Sequence, residues 1–255
     1  MTSINESRNY LRSDMWGEWR KWETDQKKRI PPPPPQKPYP KDSKLIELIS
    51  PDNFTVGTMP LRDVINKRRS RRKYSNLPLS LEELSFLLWS TQGVQEVLQE
   101  GVMVMKTVPS GGARHSFETY LVINKVTGLE PGLYRYLSLD HKLLFLGSKP
   151  GLDELITEAC NNQRFIKGAA VVFVWTTIPY RMEWRYHLLS HKVIAIDAGH
   201  LCQNLYLSCE SIGAGTCGIG AYDQDEVDSI LGVDGVDEFT IYVAPVGKTG
   251  VGEAS

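Results

Sequence analysis

Cysteine is scarce in these 255 residues: only Cys160, Cys202, Cys209 and Cys217 occur, and no two form a C-x-x-C pair. A chain of this length with so few thiols is no disulfide-stapled miniprotein, and a reducing compartment is expected. An excess of either charge is also missing. Lys and Arg total 29 against 30 Asp and Glu, a formal net charge of -1, which excludes a uniformly basic nucleic-acid binder while leaving room for a local basic site. Long hydrophobic runs are absent as well. The longest, Ala169 to Trp175, has the length of a strand and falls far short of the roughly 18 residues of a membrane helix. The first forty residues are polar and show no signal peptide, so a cytoplasmic location is expected.

What is present organises into an arm and a body. Trp16, Trp19 and Trp22 stand three apart, a spacing that places them on one helical face. Pro31 to Pro35, with Pro38 and Pro40, then predict a stiff, extended connector. Residues 1–42 therefore read as an arm that docks on the body, wraps a neighbouring subunit or meets another protein. The domain proper is expected over residues 43–255. There, Leu61 to Arg69 and Ser80 to Trp89 read as helices, the second opened by a Ser80/Glu83 capping box. Gly132 to Tyr136 and Lys142 to Leu146 predict a hairpin, and Ala169 to Ile178 and Phe239 to Val246 predict strands. Apolar residues from Tyr186 to Ile212 recur at spacings of three and four and predict one long helix, up to ~40 Å. Helices and strands mix without a regular β-α-β rhythm, so the class is α+β.

The strongest charge feature is Lys67 to Lys73, where six of seven residues are basic around Ser70. Arginines offer planar, bidentate donors, and a cluster of like charges calls for an anion among them; a phosphate socket is the favoured reading, with a solvated basic helix end and a nucleic-acid patch as alternatives. Gly213 to Gly218 spells G-x-G-x-x-G, but a long helix precedes it where a dinucleotide fingerprint needs a strand. The glycines instead suit a flat ligand lying close to the backbone. His187 and His191 lack the glutamate of a zinc-protease motif, and no metal is expected. Neither Ser110 nor Cys217 belongs to an assembled hydrolase site.

Four stretches together resemble the FMN-dependent nitroreductase superfamily, and within it the streptolysin-type azoline dehydrogenase branch. They are Arg68-Arg69-Ser70 with Arg72 and Tyr74; Lys106 to His115 with Glu118 and Tyr120; Gly132 to Tyr136; and Asp197 to His200 with Gln203 to Leu205 and Ser211 to Tyr222. The resemblance spans about residues 61–248. It implies a three-layer fold with a central, mostly antiparallel sheet and a long central helix, assembled as an intertwined homodimer with FMN at the subunit interface. Carried over by position, Arg68, Arg69, Ser70 and Arg72 would hold the phosphate and ribityl region. Pro109, Ser110 and Gly111 would line the flavin. Gly218, Ile219, Gly220 and Ala221 would lie beside the isoalloxazine, with the Gly220 N–H near N5. Lys248 would approach the phosphate, and Lys106 would stabilise charge on the reduced ring.

The implied activity is a ping-pong oxidoreductase that moves a hydride from a nicotinamide donor through FMN to a small aromatic, quinone-like or conjugated acceptor. The azoline-oxidising members carry a Lys-Tyr pair before the long helix. Here Tyr180 follows Pro179 instead, which weighs against peptide azoline oxidation. Two other readings stay open: a dehydrogenase of a peptide or metabolite inside a maturation complex, and a non-catalytic relative that binds partners.

Overall fold

The computed structural model describes residues 4–98 and 103–250; the outermost ends of the expected arm and domain lie outside them. Period-two alternation builds the centre. In β4 (Phe117–Ile123), Phe117, Leu121 and Ile123 face one side and Tyr120 and Val122 the other. In β7 (Val171–Thr177), Val171, Phe173 and Trp175 oppose Val172 and Val174 in the same way. Every residue of both strands is buried, so both sheet faces must be covered.

These strands lie inside a seven-stranded sheet with β1 (Leu45–Glu47), β5 (Gly132–Leu137), β6 (Lys142–Gly147), β8 (Ala214–Thr216) and β9 (Phe239–Lys248), in the order β1-β6-β5-β4-β7-β9-β8. The pairings between these strands are antiparallel. A parallel bridge from Ser70 to Thr216 adds the basic segment to the β8 edge. A hairpin of β2 (Val94–Leu98) and β3 (Met103–Lys106) stands apart. One face of the sheet is covered by α4 (Leu81–Gln92) and α7 (Ser190–Ser211), the other by α5 (Leu152–Ala159) and α8 (Gln224–Leu231). The protein is thus an α+β, three-layer molecule with a long central helix. At the start of α4 the Ser80 hydroxyl accepts from the Glu83 N–H at 3.1 Å and the Glu83 carboxylate accepts from the Ser80 N–H at 2.9 Å, completing the expected capping box.

The long helix is shorter than its periodicity suggests. His187 adopts φ 49° and ψ -128°, a conformation that breaks helical hydrogen bonding. It separates α6 (Tyr180–Tyr186) from the 22 residues of α7, which span ~33 Å.

The arm lies on its own chain. Its helices are α1 (Ile4–Asn9) and α2 (Trp16–Trp19); the second is only four residues long, so Trp22 falls beyond it. The rings of Trp16 and Trp19 each meet Tyr186 at 5.8 Å, and Trp22 meets His187 at 5.7 Å. The proline-rich stretch then runs over buried donors. A proline has a carbonyl but no N–H, so such a segment presents acceptors. Trp184 Nε1 donates to the Ile30 carbonyl at 2.8 Å, Arg181 Nε to Pro34 at 2.9 Å, and Arg135 to Lys37 and Pro38 at 3.0 and 3.1 Å. These donors belong to the arm's own chain, so the segment docks on the body.

Candidate functional site

Helix α3 (Leu61–Lys67) delivers the chain into an extended segment that holds the basic run. Arg71 leaves the run's exposed face. Its guanidinium pairs with Glu210 on α7 at 3.1 Å, anchoring the segment to the central helix. Arg68 rests over the ring of Tyr206, 5.3 Å from its centroid, and Arg72 lies 5.9 Å from the centroid of Phe165. Neither has a carboxylate partner among the described residues. Ser70 is exposed between them, its hydroxyl 3.2 Å from the Tyr206 hydroxyl.

Tyr206 joins this segment to the glycine-rich loop. Its hydroxyl also accepts from the Gly218 N–H at 2.8 Å, and burial raises its pKa, keeping it a neutral donor and acceptor. Gly213, at φ +67°, ends α7 and turns the chain into β8. Gly218 is needed for closeness: a Cβ there would stand 2.6 Å from the Tyr242 hydroxyl and 3.0 Å from Cys202 Sγ. Gly220 and Ala221 are exposed, and a Cβ on Gly220 would meet nothing within 4 Å. The Gly220 N–H has no partner among the described residues. Free guanidiniums at one end and an open backbone donor at the other, joined by Tyr206, fit a long ligand with an anionic terminus and a flat polar ring.

The second predicted group lies elsewhere on the same helix. The Gly111 N–H donates to Asp197 Oδ2 at 3.1 Å, and the Ser110 hydroxyl accepts from the His115 N–H at 3.0 Å. Burial raises the Asp197 pKa, opposed by hydrogen bonds from Ser110 and Gly111. Asp197 and Tyr206 are nine residues apart, which is ~13 Å along the axis and about half a turn around it. Pro109, Ser110 and Gly111 therefore flank one side of α7, and the basic segment with the loop flanks the other.

Four predicted site residues are placed differently. Lys106 is buried and bonds Gln92 Oε1 at 2.8 Å and Ser138 Oγ at 3.1 Å, beside the buried Arg181–Glu118 ion pair. Burial pushes its pKa down to about 7, with Glu118 opposing and Arg181 reinforcing the shift. Near it, burial and then the Lys106 charge push His115 down to about 3. Lys248 is held by Glu83 at 2.6 Å and by the Ile212 carbonyl at 2.7 Å, so its charge serves the end of α7. Arg69 folds back on the carbonyls of Asn66 and Arg68, away from Tyr206. Ile219 buries its side chain in the core under α8, and both its backbone groups pair with Val243. The residues that the sequence did not single out, Tyr206, Asp197 as an anchor, and Glu210, sit on α7; their only signal is helical spacing toward two separate loops. No group of three metal-ligating side chains forms among the described residues, and no described helix is long and apolar enough to cross a membrane.

Comparison with known proteins bears on this arrangement directly. The model of the nitroreductase family matches residues 65–248. A protein of Methanocaldococcus jannaschii named as a nitroreductase is 33% identical over 193 residues, covering 76% of this chain and 93% of that one. A nitroreductase-type structure from Ralstonia eutropha superposes with a TM-score of 0.67 at 26% identity, covering 86% of this chain and 99% of the other. A longer one from Anabaena variabilis gives 0.66 at 25% identity; the match covers 82% of this chain and 42% of that one. A nitroreductase-type structure from Desulfovibrio desulfuricans, in complex with FMN, shares the fold at a TM-score of 0.53 and 15% identity, covering 77% and 90%.

Proposed function

As a member of the nitroreductase family, this chain is an FMN-dependent oxidoreductase, and we propose that it passes hydride equivalents from a nicotinamide to a small aromatic, quinone-like or conjugated acceptor. The observation that carries the reading is the Tyr206 hub. It holds Ser70, Arg68 and the Gly218 loop in one array. In this reading Arg68 and Arg72 bind the cofactor's phosphate as bidentate donors, and Ser70 adds a hydroxyl. Gly220 presents its open N–H to the polar edge of the ring. When bound, FMN supplies reversible hydride-level redox chemistry, which needs no catalytic triad. Lys106, Lys248, Arg69 and the Ile219 side chain play supporting roles in our reading and do not touch the cofactor.

The site is completed by a second copy of the chain. Ser110 and Gly111 stand on the far flank of α7 from Tyr206, with the helix between them. A flat ligand on one flank reaches both groups only if a partner supplies its own Ser110 loop. Exposed apolar residues support that assembly: Leu61 and Ile65 on α3, and Ile196 on the outer face of α7. The likeness to the azoline dehydrogenase branch rests on Pro109 to His115 and Gly132 to Tyr136. Tyr180, its nearest counterpart to the branch's Lys-Tyr pair, donates its hydroxyl to Asp25 of the arm at 2.9 Å, which favours a small acceptor over a peptide ring.

The test is the visible spectrum of the purified protein before and after denaturation. We expect a flavin band that releases about one FMN per chain and bleaches anaerobically with NADH or NADPH. A colourless protein that takes up no added FMN would refute the reading.

A further inference from the structure

The arm forms one wall of a half-open cavity that the flavin chemistry by itself does not require. About 500 Å³ in volume, it is walled by Tyr10, Met15 and Trp16 of the arm and by Leu188, Leu189 and Lys192 at the start of α7. That size suits a small molecule, and the walls are mostly apolar and aromatic, as such sites are. Its charge is uneven. Arg12 at the rim is paired with Asp14, and His191 meets Glu183 at 3.0 Å. Among the described residues, Lys192 has no carboxylate partner. Its ammonium donates to the Leu11 carbonyl at 2.6 Å and the Ser13 hydroxyl at 2.8 Å, two neutral acceptors for a group with three donors. One N–H and a whole charge are left for an occupant.

Two contacts connect the walls of the cavity to the Ser110 loop. Val193, one residue beyond Lys192, lies so near Gly111 that a Cβ there would be 2.4 Å from Val193 Cγ1. From Trp16, ring contact with Tyr186 at 5.8 Å leads to Gly112, where a Cβ would be 2.6 Å from the Tyr186 hydroxyl.

We propose that this cavity binds the acceptor, a planar aromatic molecule with a carboxylate or similar anionic group, whose ring lies along Trp16 and Leu188 and whose anion meets Lys192. As an acceptor pocket the assignment rests on the flavin reading above; as a binding site for an aromatic anion it stands on the cavity itself. The occupant is anionic because, among the described residues, Lys192 is the cation at the cavity without an acidic partner. It is aromatic because the arm sets Tyr10 and Trp16 beside the apolar Met15, Leu188 and Leu189.

The experiment is calorimetric titration of the full chain, as purified, with para-nitrobenzoate and with its neutral counterpart para-nitrobenzamide. Loss of a charge-assisted hydrogen bond in Lys192→Met is expected to weaken the benzoate at least about tenfold while moving the amide less than about twofold. Lys192→Arg keeps the charge and the donors to the arm and is expected to restore benzoate binding. Trp16→Leu is expected to weaken both probes about fivefold through the lost ring contact. Failure of the wild-type chain to bind the benzoate, equal loss of both probes in Lys192→Met, or no rescue by Lys192→Arg would each overturn the proposal. The visible spectrum of the same samples keeps the two readings apart. Charge discrimination in a colourless protein sustains the cavity and removes the flavin; a flavin-loaded protein without discrimination does the reverse.

Discussion

Tyr206 shows how one hydroxyl orders a site. It touches both Ser70 and the Gly218 N–H, so Tyr206→Phe leaves a half-buried amide donor without its acceptor. We expect a stability loss of about 1–2 kcal/mol together with weaker FMN binding, read by urea unfolding and by flavin titration; unchanged flavin affinity would remove Tyr206 from the site. Lys106 makes a different prediction. Its pKa is about 7 in the folded protein against an ordinary value of 10.5. Between those values the unfolded chain binds the extra proton, so this group makes stability rise with pH. The contribution approaches ~1.4 kcal/mol per pH unit. Urea unfolding at several pH values between about 7 and 9 should show that slope in the wild type and its loss in Lys106→Met.

At the scale of elements, the arm and α7 do most to place the site. The arm's carbonyls satisfy Trp184, Arg181 and Arg135, and its tryptophans brace Tyr186 and His187. Removing residues 1–42 exposes the Arg181–Glu118 pair, which is now almost wholly buried. Several charge-assisted hydrogen bonds and three aromatic contacts are lost at once. The expected cost is on the order of 5 kcal/mol, measured as a lower urea midpoint. A truncated chain of full stability would mean that the strap is ornamental. The sequence made the arm legible as a separate element through its prolines and tryptophans. It did not show where the arm goes, because the donors beneath it, Arg135, Arg181 and Trp184, are far away in the chain and unremarkable in isolation.

At the scale of the molecule, the two predicted halves of the flavin site face opposite flanks of one helix. In the proposed assembly, two chains make two complete sites. Ile196→Glu puts a carboxylate on the exposed outer face of α7, where Ile196 is 49% exposed in the single chain. We expect it to give monomers by light scattering and to release FMN in the same samples. Monomers that keep a full complement of flavin would show that one chain suffices.

By itself, the sequence determined the class of fold, the Ser80 cap, the hairpin from Gly132, the buried strands and the family, because each rests on local periodicity or on residues adjacent in the chain. It also marked the basic run and the glycine loop. Only the tertiary structure decided which of those groups act together. Arg68, Arg71 and Arg72 look alike in sequence, yet Glu210 lies across from Arg71 alone. Lys106 and Lys248 carry the same charge in any sequence reading, but the fold buries Lys106 beside Gln92 and pairs Lys248 with Glu83. The positive φ of His187 that divides α6 from α7 is likewise a matter of packing against Trp22 and of the turn it must make. Charge, spacing and pattern are properties of the chain; which partner neutralises a charge, and which face of a helix a loop meets, follow from contacts between segments that the chain keeps far apart.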